Sequence, residues 1–434
     1  LNYQETLEGT TPCYNGNISR MCWRSVENGM ATVIDPQEKG YSFTYDGLSR
    51  LKDAIYGEGT NLKQNRNRFN EQITGYDKMG NILGLLRYGQ TGTDSYGLVD
   101  NLNLIYHGNQ LQSVYDNATN SVFGNGMEFK DNVNETVEYE YDKNGNLAKD
   151  LNKKISEIQY NILNLPSHIS FADGSSIEYE YAADGRKVRT THTINNNVTS
   201  TVYCGNAIYE NGMLLNEAGY YSFQDNKFHF CLKDHQGNVR VVTDEAGNVD
   251  EVNDYYPFGG LMSNGCNNVQ PYKYNGKELD QKGGLDWYDY GARMYDATLG
   301  RFMKTDRFLE KYVSLSPYQY GANNPVNNID INGDSIWYTL NDNIVTMHVT
   351  AKIFNNSSDN INMKRAAKDI VSDIKSTYEG EFEWSDGKTY NLKVDMDLKV
   401  ATSMKDVENS DHLFVLADSD SKGAHGATSM LGGK

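Results

Sequence analysis

A short phrase that recurs along the chain constrains its fold more than any other feature. The phrase consists of an aromatic strand, then Tyr-Asp or Tyr-Asn, then a turn that contains Gly, then an apolar residue. The clearest copies begin at Tyr45, Tyr76 and Tyr141, and looser copies begin at Tyr160 and Tyr181. Because Asp or Asn beside Gly supplies the positive-φ positions of a tight turn, each copy predicts one β-hairpin.

The residues that precede each turn alternate between apolar and polar side chains. In the segment 177–181, which reads Ile-Glu-Tyr-Glu-Tyr, a period of two places the isoleucine and tyrosines on one face of a strand and the glutamates on the other. Successive copies lie about 20 residues apart, so each hairpin can pair edge to edge with the next. The chain also contains 32 Tyr and 40 Gly. Together these features predict a mainly β fold.

Composition excludes several classes of function. The net charge of -18 argues against nucleic acid as a partner, because phosphate binding needs clustered Lys and Arg. No apolar run approaches the length of a membrane span. The five cysteines are scattered and lack the paired spacing of a zinc site, so we expect ordinary core or strand positions for most of them.

The repeated phrase resembles the YD repeats of RHS proteins and of the C subunits of insecticidal Tc toxins. The stretch that begins at Tyr14 already fits the pattern. This resemblance implies that the hairpins wind into a hollow spiral β-shell. Another hairpin-rich protein, such as an adhesin with a carbohydrate-binding face, also fits the repeats taken alone.

The segment 232–333 narrows that choice, because several motifs follow one another there in a fixed order. They resemble the RHS-repeat-associated core domain, which closes such shells. The motifs lie at Leu232–Arg240, Tyr255–Gly259, Tyr274–Glu278, Leu285–Asp296, Gly300–Phe302, Thr305–Asp306 and Ser316–Asn327. The resemblance implies three domains, namely an N-terminally incomplete repeat shell over 1–231, a core domain over 232–334 and a variable domain over 335–434.

The resemblance also implies a self-cleavage of aspartyl-protease type at the end of the core domain. Such chemistry needs two carboxylates close enough to share a proton. Arg293 matches the family's arginine and Asp306 its second aspartate. Some members carry the first aspartate directly after the arginine, where this chain has Met294. Asp296 is the nearest residue that could replace it, so the expected catalytic residues are Arg293, Asp296 and Asp306.

The cleavage motif of the family corresponds here to Asp330-Ile331-Asn332-Gly333-Asp334. We therefore expect a cut at or near the bond between Asp334 and Ser335. Two alternatives remain open. Asp296 and Asp306 could instead only bind turn amides and the guanidinium groups of Arg293 and Arg301. The Asn332-Gly333 pair could also form a succinimide and change the chain slowly without catalysis.

The composition changes after Asp334, and the pattern predicts a small α+β domain. Strands are expected from about 345, 390 and 412, with a helix over 361–378 between the first two. This order is similar to the N-terminal half of zincin metalloproteases used as RHS toxin tails. Their zinc-binding His-Glu-x-x-His is missing here, and His348, His412 and His425 lack ligand spacing. No cofactor is expected, unless a missing C-terminal part supplies the zinc motif.

Two functions from different classes fit these observations. The first is a polymorphic toxin, secreted or at the cell surface, whose shell encloses its own C-terminal effector domain and releases it against competitor or host cells. A cognate immunity protein would then be a further partner. The second is a structural or adhesive surface protein without catalytic activity. A core domain placed directly before a domain of different composition favours the first.

Overall fold

The computed structural model describes most of the chain, and the structural statements that follow concern those residues. They are 1–4, 12–24, 37–209, 212–262, 269–333, 336–337, 339–341, 344–355, 361–378, 380–383, 389–403, 412–416 and 427–430. The chain divides into two compact units, Leu1–Ile336 and Trp337–Lys434. The predicted core domain therefore lies within the same unit as the repeats.

The first unit contains two antiparallel sheets in which each strand pairs with the next one along the chain. The seven strands of the first sheet are β1 Arg20–Trp23, β2 Lys39–Tyr45, β3 Leu51–Glu58, β4 Glu71–Tyr76, β5 Ile82–Gln90, β6 Tyr96–His107 and β7 Gln110–Asp116. The thirteen strands of the second sheet are β8 Tyr139–Tyr141, β9 Leu147–Asp150, β10 Ile155–Tyr160, β11 Pro166–Phe171, β12 Ser176–Tyr181, β13 Lys187–Ile194, β14 Asn197–Cys204, β15 Ala207–Ile208, β16 Met213–Asn216, β17 Gly219–Ser222, β18 Lys227–Lys233, β19 Val239–Asp244 and β20 Val249–Val252. The predicted mainly β fold is confirmed.

The aspartate of the repeated phrase closes each hairpin turn. Oδ1 of Asp77 accepts hydrogen bonds of 2.8 Å from the backbone N–H groups of Met79 and Asn81. Gly80, three residues after the aspartate, has a φ of 85°. The same two contacts recur at Asp46, Asp142, Asn161, Asp234 and Asp244. The side chain thus satisfies turn amides that would otherwise lack a partner.

The tyrosine of the phrase connects one repeat to the preceding one. The hydroxyl of Tyr76 donates to the carbonyl oxygen of Leu51 at 2.6 Å, and the hydroxyl of Tyr160 donates to that of Leu147 at 2.7 Å. Similar bonds start from Tyr45, Tyr106 and Tyr181. The ring is largely buried in each case while the hydroxyl has a partner, which is how a buried tyrosine avoids a desolvation cost.

The segment that follows the two sheets forms several short strands of its own. The strands are β21 Glu278–Asp280, β22 Trp287–Asp289, β23 Met294–Asp296, β24 Arg301–Phe302, β25 Ile329–Asp330 and β26 Ile336–Trp337, and the unit's 3-10 helices are Thr60–Leu62, Tyr274–Gly276, Lys282–Gly284, Leu309–Lys311 and Gly321–Asn323. Phe258, Trp287 and Val326 of this segment belong to the same buried cluster as residues of both large sheets. One hydrophobic core therefore holds the repeats and the core segment together.

A buried ion cluster joins the first sheet to the core segment. Arg87 pairs with Glu71 at 2.9 Å and also with Asp100, and all three residues are inaccessible to solvent. The same guanidinium donates to the carbonyl oxygens of Ala297 and Thr298 at 3.4 and 3.2 Å. Burial of charges is unfavourable unless each one is paired, so this cluster fixes how the segment lies on the sheet.

The second unit is an α+β domain, described here by itself. Its strands are β27 Thr339–Asn341, β28 Ile344–Asn355, β29 Gly380–Glu383, β30 Thr389–Val400, β31 His412–Leu416 and β32 Ala427–Met430, and its helix is α1 Met363–Tyr378. β28 is parallel to β30 and β31, whereas the strands β27, β29 and β32 pair in antiparallel fashion. The strands and the helix expected from the sequence are confirmed.

Candidate functional site

Arg293 directly precedes β23, in the tight turn that reverses the chain after β22. Its carbonyl oxygen accepts a hydrogen bond of 3.1 Å from Tyr290 N–H, and Gly291 has a φ of 91° inside the turn. The guanidinium carbon lies 3.7 Å from the ring centre of Phe302, which belongs to a buried cluster of aromatic rings. Stacking on that ring holds the planar guanidinium in one orientation.

Four groups from other parts of the chain converge on this guanidinium. Nη2 of Arg293 lies 2.9 Å from Oδ2 of Asp306 and 3.0 Å from Oδ2 of Asp330. Nη1 donates to the carbonyl oxygen of Pro317 at 3.1 Å, and Nε donates to the carbonyl oxygen of Gly333. Each of the three charged side chains is at most 4% exposed. The result is a dry centre with two carboxylates and one guanidinium.

The segment that ends in Gly333 is fixed against the same turn. Its N–H donates to Oδ1 of Asp330 at 2.7 Å, while Ala292 N–H donates to the carbonyl oxygen of Asn332 at 3.0 Å. Gly333 has a φ of 77°, and a Cβ there would come within 2.9 Å of the Tyr290 Cβ and 3.0 Å of the Arg293 nitrogen. Only glycine therefore allows this approach without displacement of the backbone.

The structure brings Arg293 and Asp306 together but places Asp296 in a different cluster, which corrects the expected pairing of Asp296 with Asp306. Oδ2 of Asp296 lies 3.1 Å from Lys153 Nζ and accepts from Trp287 Nε1 at 3.2 Å, and Oδ1 accepts from Thr298. The reason is the period of two along β23. Side chains 294 and 296 point to one face of the strand, whereas Arg293 precedes Met294 and points to the other.

The residue that takes the second position beside Arg293 is Asp330. The sequence contained a signal for it, since Asp330 begins the motif that was assigned to the cleavage site. Its role as a partner of Arg293 depends on the contact between 293 and 330, which no local pattern reveals. The expected cleavage residues Asp334 and Ser335 lie outside the described residues.

The centre contains the groups that an amide hydrolysis needs. Two buried carboxylates face one guanidinium, an arrangement in which a pair of carboxyl groups can share one proton. A guanidinium on a carbonyl oxygen can stabilise the negative charge that develops there during attack by water. The carbonyl in that position is the one of Gly333.

A cavity of about 520 Å³ also lies in the first unit, away from Arg293. His192 in its wall is 2.8 Å from Asp280, and His229 lies 2.8 Å from Asp250 and 3.0 Å from Asp225. Because these carboxylates already pair with the imidazoles, the contacts indicate a structural role for the two histidines. Among the residues that the structure describes, no group of three or more His, Cys, Asp or Glu could hold a metal ion.

A family model described as Teneurin YD-shell matches residues 31–345. The chain is 32% identical over 223 residues to Salivary gland surface protein 1 of Aedes aegypti, a match that covers 44% of this chain and 6% of that protein. It is 26% identical over 221 residues to the tRNA nuclease WapA of Bacillus subtilis strain 168, covering 46% of this chain and 9% of that protein. The chain thus spans less than a tenth of these relatives.

Solved structures of Tc toxin components are also similar. One is a crystal structure of TcdB2-TccC3-Cdc42, with 17% identity, coverage of 73% of this chain and 18% of that chain, and a TM-score of 0.46. Another is a Tc holotoxin pore of Photorhabdus luminescens, with 17% identity, coverage of 74% and 18%, and a TM-score of 0.47. Within the described part of the chain, no helix is long and apolar enough to cross a membrane.

Proposed function

The chain belongs to the Teneurin YD-shell family. We propose that it is a toxin shell that encloses its own C-terminal domain. The shell would cut the chain near the bond between Asp334 and Ser335 and so leave that domain free inside. The observation that carries the proposal is the buried centre of Arg293, Asp306 and Asp330, at the end of the first compact unit.

The position of the centre supports self-cleavage over cleavage of another protein. The Gly333 carbonyl is already bound by Arg293 within the same chain, so the reaction would be intramolecular and would benefit from a high effective concentration. A centre in which all three charged side chains are nearly inaccessible offers little room for an external protein substrate.

The cargo would be the second unit, Trp337–Lys434. Its similarity to the N-terminal half of a zincin remains a proposal, supported by the order of β28, α1, β30 and β31. A search for His-Glu-x-x-His in the gene beyond Lys434 tests that assignment. We propose secretion or display at the cell surface, where a shell of this kind would meet competitor or host cells.

Encapsulation is tested by the rate at which an added protease digests the second unit. The comparison is between the whole chain and residues 335–434 expressed alone, with both digests followed by peptide mass spectrometry. We expect the second unit to be digested at least ten times more slowly within the whole chain. Equal rates would contradict encapsulation.

A surface protein without catalysis is the second candidate. It is favoured by the aromatic side chains exposed on β18, namely Phe228 and Phe230, which are 47% and 42% exposed, and by the similarity to a salivary gland surface protein. Exposed aromatic residues often mark contact surfaces. An uncut chain that presents these residues to a partner would support this second function.

A further inference from the structure

Lys153 and Asp296 form a buried pair that the proposed function does not use. We propose that the two side chains condense to an amide, an intramolecular isopeptide bond that joins the turn between β9 and β10 to the end of β23. Nζ of Lys153 lies 3.1 Å from Oδ2 of Asp296. The inference is independent of self-cleavage, because both residues lie within the first compact unit.

The surroundings of the pair favour a neutral product over two charges. The Asp296 side chain is inaccessible to solvent, and that of Lys153 is 14% exposed. Asp296 also contacts Trp287, which belongs to the large hydrophobic cluster together with Tyr139. Two buried charges lose hydration that their attraction only partly restores, whereas an amide loses far less. Burial therefore favours condensation of the pair.

Hydrogen-bond donors surround the carboxyl group that the amine attacks. Oδ2 of Asp296 accepts from Trp287 Nε1 at 3.2 Å, and Oδ1 accepts from the N–H and the hydroxyl of Thr298 at 2.8 and 2.5 Å. Negative charge develops on the carboxyl oxygen atoms when a nitrogen adds to Cγ. Donors that are already in place stabilise this charge, so the Asp296 carboxyl group is prepared for attack.

Asp150 is the group that accepts a proton from the lysine. Its side chain is buried, Oδ1 accepts from the Lys153 N–H at 3.0 Å, and Oδ2 has no hydrogen-bond partner in the described part of the chain. Burial raises the pKa of Asp150 to about 7. Burial lowers the pKa of the Lys153 ammonium, but Asp296 and Asp286 outweigh it and hold that pKa above its ordinary value. The ammonium therefore needs such an acceptor before its nitrogen can attack.

The reaction releases one water molecule. Asp150 takes a proton from the Lys153 ammonium, and the neutral nitrogen attacks Cγ of Asp296. One C–O bond of the carboxylate breaks, and the leaving oxygen takes two protons from the former ammonium, one of them through Asp150. The nitrogen keeps its third hydrogen, so the product is a neutral amide. No oxidant, reductant or further reactant takes part.

Another lysine with carboxylate partners provides an internal comparison. Nζ of Lys187 lies 2.8 Å from Glu278 and 2.6 Å from Asp289, but these carboxylates are 19% and 14% exposed. Because water reaches both of them, their charges keep part of their hydration and the ion pairs are stable. We expect an amide at Lys153 and none at Lys187.

The test is the intact mass of the folded, purified wild-type chain after denaturation, followed by sequencing of its tryptic peptides. Condensation lowers the mass by that of one water molecule. Trypsin does not cut after an acylated lysine, so we expect peptide 150–154 joined to peptide 294–301. In a chain that is also cut at the end of the first unit, the missing water belongs to the N-terminal fragment.

Single variants separate the amide from the ion pair. Lys153→Arg retains a positive charge beside Asp296 but replaces the amine with a poor nucleophile, so we expect the full sequence mass. Lys149→Arg, at an exposed pair with Glu140, is the matched control and should condense like the wild type. Asp150→Asn should slow condensation by about a hundredfold in pulse-labelled chains, since the amide cannot accept the proton.

A folded wild-type chain with the full sequence mass would overturn the proposal, and this measurement needs no variant to fold. A missing water that maps to a succinimide at an Asp-Gly pair, such as Asp184-Gly185, would also overturn it. So would a cross-link at Lys187 in place of Lys153. Condensation of Asp150→Asn at the wild-type rate would overturn the role of Asp150 as proton acceptor.

Discussion

Nη2 of Arg293 lies 3.0 Å from Oδ2 of Asp330, although 37 residues separate the two along the chain. The same nitrogen lies 2.9 Å from Asp306. These residues come from three separate points of the core segment, so the centre exists only when that segment has packed against the sheets. Under the proposed function, self-cleavage would therefore follow folding of the first unit.

The first prediction concerns the guanidinium itself. Arg293→Lys retains a positive charge but loses the fork that reaches Gly333, Asp306 and Asp330 together. We expect cleavage to slow by about 10² to 10³-fold, the usual effect of losing an oxyanion donor. Gel densitometry over time measures the rate. Arg189→Lys, at a half-exposed pair with Glu180, is the control and should cut normally.

The second prediction concerns the tyrosine bonds between repeats. Tyr160→Phe removes the hydroxyl that binds the Leu147 carbonyl at 2.7 Å and leaves that oxygen without its partner. The free energy of unfolding should fall by about 0.5–1.5 kcal/mol. Denaturant titration measures it, and Tyr209→Phe, whose ring is exposed, should change little. Equal changes in the free energy of unfolding for both substitutions would show that the hydrogen bond between repeats does not stabilise the fold.

The third prediction separates backbone strain from packing at the turn glycines. Gly108 and Gly145 both have positive φ, but a Cβ at Gly108 meets nothing within 4 Å, whereas one at Gly145 comes within 2.7 Å of Thr305 Cγ2. Gly108→Ala should cost about 1 kcal/mol through strain alone. Gly145→Ala should cost about 1–3 kcal/mol more because the core segment is overpacked. Similar unfolding free energies for the two variants would contradict the close contact.

The fourth prediction concerns the pH dependence of stability. Burial raises the pKa of Asp150 to about 7, and its Oδ2 has no hydrogen-bond partner. Because this group is protonated more readily in the folded chain than in the unfolded one, the folded state loses stability as the pH rises from about 4 to about 7. The loss should reach about 4 kcal/mol and then level off.

Asp150→Asn should remove this component, since the amide stays neutral at every pH. The measurement is the free energy of unfolding of both proteins between pH 4 and pH 8. The difference between them should grow in favour of the variant up to about pH 7. Parallel curves for the two proteins would show that Asp150 does not carry a raised pKa.

Local sequence patterns predicted the hairpins well because each repeat contains its own stabilising contacts. Asp77 binds amides two and four residues ahead, and Gly80 supplies the positive φ, so five consecutive residues determine the turn. The alternation at Ile177 and Tyr179 likewise predicted their burial. The bonds from each tyrosine to the preceding repeat could not be read from the residues, because they depend on how neighbouring hairpins pair.

The candidate site was predicted only in part, because some of its residues lie in recognisable motifs and another is brought in by tertiary packing. Arg293 and Asp306 were found through motif position, and the structure brings them together. Asp296 was chosen for its proximity in sequence, but the period of two along its strand turns it towards Lys153. Asp330 reaches the centre from a strand more than thirty residues away, and only the tertiary packing determines that contact.

The most direct test of self-cleavage is the intact mass of the purified chain after denaturation. The uncut chain has a mass of 48.9 kDa. We predict two fragments that join between residues 333 and 335, with masses that add up to the intact chain plus one water. Asp306→Asn should give one uncut species. A single 48.9 kDa species from the folded wild-type chain would contradict self-cleavage, as would two fragments that persist unchanged in Asp306→Asn.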